Sequence, residues 1–314
     1  MASVNPNILY KYESMRVKWS RCFEEENPRV ARSIKNFFQY FYRNHRNFKF
    51  VVGEMFDGTV HLLVKPRNYR QIKDEIEEQI EETLPEVAEI RDATVLRKRK
   101  TFQDFQSFKD FCNLLRDENS EIFRRKKEEA RKSVKKLRRT LKGKSQALVL
   151  AFDLEVYEHD HNIILEIGYA MTTLDNPEDD LQMFHYIIKE NLRYENGDCV
   201  PDNRDHFMFG TSKRMSLKRA AAKIQKHIDE ADFLVAHSAA HDEEFLANCG
   251  VSVSEKRMFD TQVLAMALLP DGPPLYSLKR LLTDLEIPFD EDVLHNGGND
   301  AYYTMEVFLA LTEF

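Results

Sequence analysis

Two carboxylates in the second half of the chain stand two residues apart within an apolar run. Asp153 and Glu155 lie in QALVLAFDLEV, whose composition predicts a buried β-strand. Because alternate side chains of a strand point to the same face, both carboxylates leave one face of the sheet. Burying two unpaired carboxylates is costly, and divalent metal ions would remove that cost. The spacing therefore predicts a metal site on this strand.

Two further carboxylates stand at the beginnings of predicted helices. Asp242 follows the apolar strand FLVAHS, and Asp300 begins the last predicted helix. Ends of neighbouring elements in an open α/β sheet converge on one crevice, so we expect both residues to join the strand pair. Four carboxylates supply oxygen ligands, which favours two Mg²⁺ or Mn²⁺ ions over zinc.

A histidine precedes Asp300 across a glycine-containing loop. His295 begins HNGGND, and Gly297 and Gly298 predict a loop that is free to bring its ring over the metal ions. A histidine that titrates near neutral pH can take a proton from an attacking water. Two metal ions would stabilise both the attacking and the leaving oxygen of an in-line displacement. The set predicts a metal-assisted hydrolysis.

The elements that must position these residues follow an α/β order. From residue 146 onward the hydrophobic pattern predicts the order β-β-β-α-β-α-β-α. The loop DNPEDD between the second and third strands is short, which favours an antiparallel meander. We therefore predict an RNase H-like α/β fold, a mixed β-sheet flanked by helices.

The first half predicts a smaller α+β domain with no assigned role. A helix is expected over 27–44, a hairpin about Asp57-Gly58, and a helical pattern over 102–142 that becomes strongly basic after Phe123. We place an N-terminal α+β domain at 1–123, a basic helix or linker at 124–145 and the catalytic domain at 146–314.

The net charge of −7 conceals a division between the two halves. Residues 1–145 carry +11, whereas residues 146–314 carry −18. Such asymmetry indicates a nucleic-acid partner, although two ordinary domains of different pI would also produce it. The segment 124–144 holds twelve Lys and Arg against two Glu, which leaves three alternatives open: a solvated helix face, a nucleic-acid contact or a nuclear-localisation signal.

Several classes of protein are not expected from the composition. No run of about 18 apolar residues predicts a membrane span, and the first residues lack the basic and apolar parts of a secretory signal. The four cysteines are scattered without a CxxC pair, so neither a zinc site nor a disulfide framework is predicted. We expect an intracellular protein, cytoplasmic or nuclear.

Taken together, the motifs resemble the DEDDh branch of the DnaQ-like exonucleases over residues 146–314. FDLE resembles the first motif, HSAAHDEEFL the second and HNGGND the third, and the strand after the first carries EIG, as is frequent in that family. Asn296 occupies the position of a tyrosine in the sister branch, so the histidine branch matches better. The stretches HNGGNDAYYT, YSLKRLL and FDTQ are similar to the fungal Gfd-type proteins, which are linked by name to messenger-RNA export.

The resemblance implies a 3′–5′ exonuclease that acts on single-stranded RNA or DNA with a free 3′ end, with RNA preferred because of the Gfd-type likeness. The implied metal ligands are Asp153, Glu155, Asp242 and Asp300, and His295 is the implied general base. The residues for which we predict contacts with nucleic acid are Leu154, His237, Ser238, Arg124, Arg125, Lys126 and Lys127.

Two departures from the family pattern bear on substrate contacts and on the last helix. Ser238 and His241 occupy positions that are usually Asn and Phe in the second motif. The chain ends at Phe314, soon after Asp300, which leaves open whether the last helix is complete. The alternative functions are a non-catalytic nucleic-acid- or protein-binding factor on the same platform, and an acidic protein-interaction module with the basic helix as its intramolecular partner.

Overall fold

The structure is a computed structural model that describes residues 8–55, 58–90, 95–198, 200–253, 257–269 and 275–312. The chain divides into two compact units, residues 1–125 and 126–314. Residues 124–141 of the predicted basic helix or linker belong to one longer helix, and residues 142–145 lie beyond its end. The predicted domain boundaries stay a prediction. Asp57 of the predicted hairpin turn lies outside the described residues. Nowhere in these ranges is a helix both long and apolar enough to cross a membrane.

The first unit combines an antiparallel sheet with helices. Its elements are β1 (Tyr10–Lys11), α1 (Tyr12–Arg21), α2 (Pro28–Asn44), β2 (Phe50–Glu54), β3 (Val60–Val64), α3 (Pro66–Ile80), β4 (Val95–Lys100) and the first part of α4 (Phe105–Leu141). The strand order is β1-β3-β2-β4. The core is rich in aromatic rings, with Tyr12, Trp19 and Phe50 fully buried. The predicted α+β character is confirmed.

The second unit is a six-stranded mixed sheet flanked by helices. Its elements are β5 (Leu148–Tyr157), β6 (Asp160–Thr173), β7 (Gln182–Ile188), β8 (Lys213–Met215), α5 (Leu217–Glu230), β9 (Phe233–Ala236), α6 (Ala239–Asn248), β10 (Arg257–Asp260), α7 (Thr261–Leu268), α8 (Leu278–Asp284) and α9 (Gly297–Thr312). The strand order is β10-β9-β5-β6-β7-β8. Strands β5, β6 and β7 form the expected antiparallel meander, and β9 and β10 continue the sheet in parallel with β5. The predicted RNase H-like arrangement is confirmed.

The two faces of this sheet bury different side chains because successive residues of a strand point to opposite sides. Val149 and Ala151 of β5 pack in a core shared with α7, α8 and α9, and the C-terminal part of α4 adds Val134 and Leu137 to it. Leu150, Phe152 and Leu154 pack on the other face in a core shared with α5 and α6. Asp153 and Glu155 continue the series of Val149 and Ala151, so they lie on the face covered by α9.

Candidate active site

Asp153 and Glu155 lie on β5, opposite Gly168 and Glu166 of β6. Both side chains are half-buried on the same face of the strand. Burial raises the pKa of Asp153 to about 7, and the charge of Glu166 adds to that rise. Burial also raises the pKa of Glu155 well above its usual range, with further rises from Asp153 and the neighbouring carboxylates. The strand therefore holds two carboxylates that disfavour each other's ionisation.

Asp242 reaches the same strand from the first turn of α6. Its Oδ1 accepts a hydrogen bond of 3.2 Å from the backbone N–H of Leu154, between the two strand carboxylates. The side chain is 5% exposed, and burial, followed by the charge of Asp153, raises its pKa well above the usual range. This bond attaches the start of α6 to β5 and brings a third carboxylate to the site.

Asp300 supplies the fourth carboxylate from the first turn of α9. Its Oδ2 accepts a hydrogen bond of 3.0 Å from the backbone N–H of His295. Its Oδ1 is buried and has no hydrogen-bond partner among the described residues. Burial and the charge of Asp153 raise the pKa of Asp300 well above its usual range. A buried carboxylate oxygen without a partner is costly, and a cation ligand would satisfy it.

His295 stands at the edge of this carboxylate cluster. One ligand atom from each of Glu155, His295 and Asp300 lies within 4.8 Å of the other two. The backbone of His295 is left-handed, with φ of +62°, a conformation that non-glycine residues rarely adopt. The His295 side chain is exposed, but desolvation by the surrounding protein still lowers its pKa below the ordinary 6.5. The five predicted catalytic residues thus lie close to one another.

Gly297 and Gly298 are buried in the first turn of α9, which differs from the free loop expected from the sequence. A Cβ on Gly168 would stand 2.0 Å from the backbone of Gly297, and a Cβ on Gly298 would stand 2.6 Å from the ring of Phe207. The interpretation that these glycines let His295 swing is therefore wrong. Gly297 allows α9 to approach Gly168 of β6 closely, and Gly298 leaves room for the ring of Phe207.

A buried pair that the sequence did not single out supports this approach. His185 of β7 is 1% exposed and its Nε2 lies 2.7 Å from Oε2 of Glu166, while its Nδ1 lies 2.8 Å from Oγ of Ser212. The same Glu166 oxygen accepts a hydrogen bond of 3.2 Å from the backbone N–H of Gly297. Glu166 belongs to the EIG stretch, whereas His185 lies in an apolar run that gives no signal of a partner.

Asp260 is a second residue whose role the sequence did not indicate. Its carboxylate accepts hydrogen bonds from the backbone N–H groups of Ser238 (3.1 Å) and Ala239 (3.0 Å), at the start of α6, and of Gln262 (2.8 Å), in the first turn of α7. Ser238 has a left-handed φ of +62°, which this carboxylate stabilises. Asp260 therefore fixes the beginning of the helix that carries Asp242.

The three predicted substrate contacts near the site have different surroundings. Leu154 is 6% exposed and packs in the core, and Ser238 is half-buried. Nδ1 of His237 lies 2.9 Å from Oγ1 of Thr261, and its Nε2 donates to the carbonyl oxygen of Tyr276 at 3.1 Å. Burial lowers the pKa of His237. Contacts of these residues with nucleic acid stay predictions, and the side chain of His241 is not among those described.

The four predicted basic contacts lie on α4. Arg124 forms an ion pair of 2.7 Å with Glu121, and Arg125 approaches the same carboxylate at 3.9 Å. Both arginines are exposed, whereas Lys126 and Lys127 are half-buried. Their contacts with nucleic acid also stay predictions.

Comparison with known proteins gives several matches to the second half. An uncharacterised nucleolar protein of Schizosaccharomyces pombe is 32% identical over 172 residues, covering 52% of this chain and 68% of that protein. The "Good for full DBP5 activity protein 2" of Saccharomyces cerevisiae is 28% identical over 208 residues, covering 54% of this chain. The chain spans only 36% of the length of that second relative.

Two solved structures are similar at low identity. The RNase domain of the yeast Pop2 protein gives a TM-score of 0.37 at 12% identity, over 59% of this chain and 83% of that one. A crystal structure of SSB/Exonuclease I with an inhibitor gives a TM-score of 0.35 at 14% identity, over 54% of this chain and 42% of that one.

The family model described as the C-terminal domain of DNA polymerase III subunit epsilon-like proteins, of DEDDh type, matches residues 148–311. Because this match covers more than half of the chain, the protein belongs to the DEDDh family of DNA polymerase III subunit epsilon-like proteins.

Proposed function

We propose that this protein is a metal-dependent 3′–5′ exonuclease that hydrolyses phosphodiester bonds of single-stranded nucleic acid. The observation that carries the proposal is the buried, unpartnered Oδ1 of Asp300 within a cluster of four carboxylates of raised pKa. Such a cluster is unfavourable unless cations bind to it. The preference for RNA over DNA rests on the resemblance to the fungal Gfd-type proteins.

The donor set fits two hard divalent cations. Asp153, Glu155, Asp242 and Asp300 would hold Mg²⁺ or Mn²⁺ through carboxylate oxygens, the ligands that these ions prefer. When bound, the ions would stabilise the negative charge on the attacking and leaving oxygens of the phosphodiester. Glu166 of β6 and Asp260 of β10 would position the helical ligands, because they accept hydrogen bonds from the backbone at the starts of α9 and α6.

His295 would take the proton of the attacking water at a ring nitrogen. Its lowered pKa keeps the ring neutral at pH 7, which leaves a nitrogen lone pair available for that proton. The hydrogen bond from its backbone N–H to Asp300 ties the position of the base to that of a metal ligand. The residue is thus held next to the carboxylates while its side chain stays exposed to solvent and substrate.

The test is digestion of single-stranded RNA and DNA labelled at the 3′ or the 5′ end, with the products sized. We expect nucleoside monophosphates to be released from the 3′ end in Mg²⁺ or Mn²⁺, and no release in excess EDTA. Asp300→Asn should abolish the activity, whereas Asp179→Asn, an exposed carboxylate outside the cluster, should retain it.

Activity in EDTA or full activity of Asp300→Asn would contradict the metal site. Efficient cutting of circular substrates would indicate an endonuclease and contradict the 3′–5′ direction. Binding of nucleic acid or protein without any cleavage would favour the non-catalytic alternative. We further propose an intracellular location, cytoplasmic or nuclear, and the S. pombe relative is itself named a nucleolar protein.

A further inference from the structure

A positively charged groove of about 540 Å³ lies within residues 126–314, apart from the carboxylates, and we name it the basic groove. One side is formed by Lys132, Lys135, Lys136 and Arg139 of α4. Lys142 and Lys144, just beyond the helix, and Arg257 of β10 complete the charged lining. The groove is thus built by seven cationic side chains from α4, from the segment just after it and from the distant strand β10.

The helix presents these cations to solvent because its opposite face is buried. Val134 and Leu137 pack in the core between the sheet and α7–α9. Lys132, Lys135 and Arg139 follow a spacing of three and four residues, so they share the face opposite that core. Packing therefore fixes the direction of the positive face relative to the sheet.

Arg257 closes the groove from the edge of the sheet. It is the first residue of β10, the edge strand, and its Nη1 donates a hydrogen bond of 2.8 Å to Oγ1 of Thr140 on α4. Nζ of Lys144 stands 5.3 Å from the centre of the Phe233 ring. These contacts hold cations from different elements near one another, although like charges repel.

Unlike several basic residues elsewhere in the chain, the cations of the groove have no acidic partner among the described residues. Within the described ranges, none of the seven forms an ion pair with a carboxylate, whereas Arg124 pairs with Glu121 and Lys226 pairs with Glu230. A concave cluster of unpaired cations attracts an anion with several charges in a row. The groove thus suits a chain of phosphates better than a single carboxylate.

The groove and the carboxylates lie toward opposite ends of the parallel strands. Arg257 is in register with Phe233 of β9, which is in register with Val149 of β5. Asp153 lies four residues further along β5, or about 13 Å at ~3.3 Å per residue. An anion in the basic groove is therefore separate from a phosphate at the carboxylates.

We propose that the basic groove binds the phosphodiester backbone of a nucleic-acid strand, at nucleotides several positions away from the 3′ end that binds at the carboxylates. The direction in which the nucleic-acid strand runs rests on the proposed function. Binding of the strand to the groove does not. The acidic remainder of this unit, with −18 over 146–314, repels such a strand, and the groove offsets that repulsion. Strands too short to reach the groove lose its contribution.

The experiment measures binding of a labelled single strand of about 30 nucleotides in EDTA, over a series of salt concentrations. The groove variant is Lys132→Gln, Lys135→Gln, Arg139→Gln. The matched control is Lys218→Gln, Lys223→Gln, Lys226→Gln on α5, which removes the same charge from the opposite face of the sheet. Three lost phosphate contacts should flatten the plot of log K against log salt by up to ~2 and lower affinity roughly 10–100-fold near ~0.1 M salt.

The control variant should keep the slope of the unmodified protein. An unchanged slope in the groove variant, or an equal loss in the control, would overturn the inference. Binding to anionic phospholipid vesicles that depends on the groove, with no such dependence for the oligonucleotide, would also overturn it. Because binding is measured without turnover, a protein that lacks nuclease activity but binds through the groove contradicts the proposed function alone.

Discussion

At the scale of single residues, the four carboxylates destabilise the fold when no cation balances them. Each has a raised pKa, because burial and the neighbouring carboxylates oppose its ionisation. The hydrogen bonds to Asp242 and Asp300 lower their pKa only in part. The carboxylates therefore lower the stability of the fold at the proposed catalytic site. Carboxylates with strongly shifted pKa values are common at functional sites.

A pH-dependent stability follows for the metal-free protein. The pKa of Asp153 is about 7 in the fold and 3.8 in a model peptide, so between these values the folded state retains a proton that the unfolded state has lost. The free energy of unfolding should therefore fall as pH rises from about 4 to 7. In EDTA, Asp153→Asn should reduce this dependence and raise Tm at pH 8 by roughly 5 °C. Thermal denaturation of both proteins at pH 5 and pH 8 measures this difference in Tm. If Asp153→Asn were less stable than the unmodified protein at pH 8, the raised pKa of Asp153 would be contradicted.

His295→Ala tests the proposed base. We expect turnover to fall ~10²–10⁴-fold, the usual contribution of general-base catalysis, while metal affinity measured by calorimetry is largely retained. In the unmodified protein the acid limb of the rate profile should lie below pH 6.5, because the pKa of His295 is lowered. Loss of metal affinity with an unchanged rate per metal-loaded enzyme would instead assign His295 to metal binding.

At the scale of elements, the position of α9 against β6 determines where Asp300 lies. The contact requires a residue without Cβ at Gly168. Glu166, which is hydrogen-bonded to His185, accepts a hydrogen bond from the first backbone N–H of the helix. Similarly, the carboxylate of Asp260 accepts hydrogen bonds from the backbone N–H groups at the start of α6, the helix that carries Asp242. Two of the proposed metal ligands, Asp300 and Asp242, are therefore positioned by residues that bind the backbone at the starts of their helices.

Gly168→Ala should disturb the site without touching a carboxylate. The added Cβ would stand 2.0 Å from the backbone of Gly297, so α9 must move away from β6. We expect a loss of at least ~1–3 kcal/mol of stability and a larger proportional loss of metal affinity. Gly143→Ala is the control, because its Cβ meets nothing within 4 Å and only the left-handed φ of +74° is strained. Equal effects of the two substitutions on metal affinity, measured by calorimetry, would contradict this account of Gly168.

At the scale of the whole molecule, the chain has two compact units with separate cores. Trp19 is the only tryptophan of the protein. It is buried in the core of the first unit, which also contains Tyr12, Phe38 and Tyr69. The carboxylate cluster lies in the second unit, whose cores lie on the two faces of the six-stranded sheet. A ligand of the second unit therefore need not affect the environment of Trp19.

Metal binding should accordingly stabilise the two units differently. At a metal concentration of about 100 Kd, binding adds ~2.7 kcal/mol to the second unit, which corresponds to roughly 5–10 °C in its Tm. We expect Mn²⁺ to shift a calorimetric transition by this amount, while the transition followed by Trp19 fluorescence stays in place. Asp300→Asn should abolish the calorimetric shift. Parallel shifts of both transitions would show that the units unfold together.

Features that depend on local geometry could be predicted from the amino-acid sequence. The two-residue spacing of Asp153 and Glu155 places them on one face because side chains alternate along any strand, and the apolar periods predicted the main strands and helices of the second unit. The basic strand β4, with Val95–Lys100 as VLRKRK, lacks such a period and forms by pairing with β2. Local pattern gives no information about such a partner.

Contacts between residues distant in the sequence became apparent from the fold alone. His185 reaches Glu166 because β7 pairs with β6 in one particular register, and Arg257 reaches Thr140 because β10 is the edge strand beside α4. The same holds for Gly168. A glycine is required there because α9 crosses β6 too closely to leave room for a Cβ. These contacts follow from strand order, register and close packing, which join residues far apart in the chain, so no spacing within the sequence specifies them.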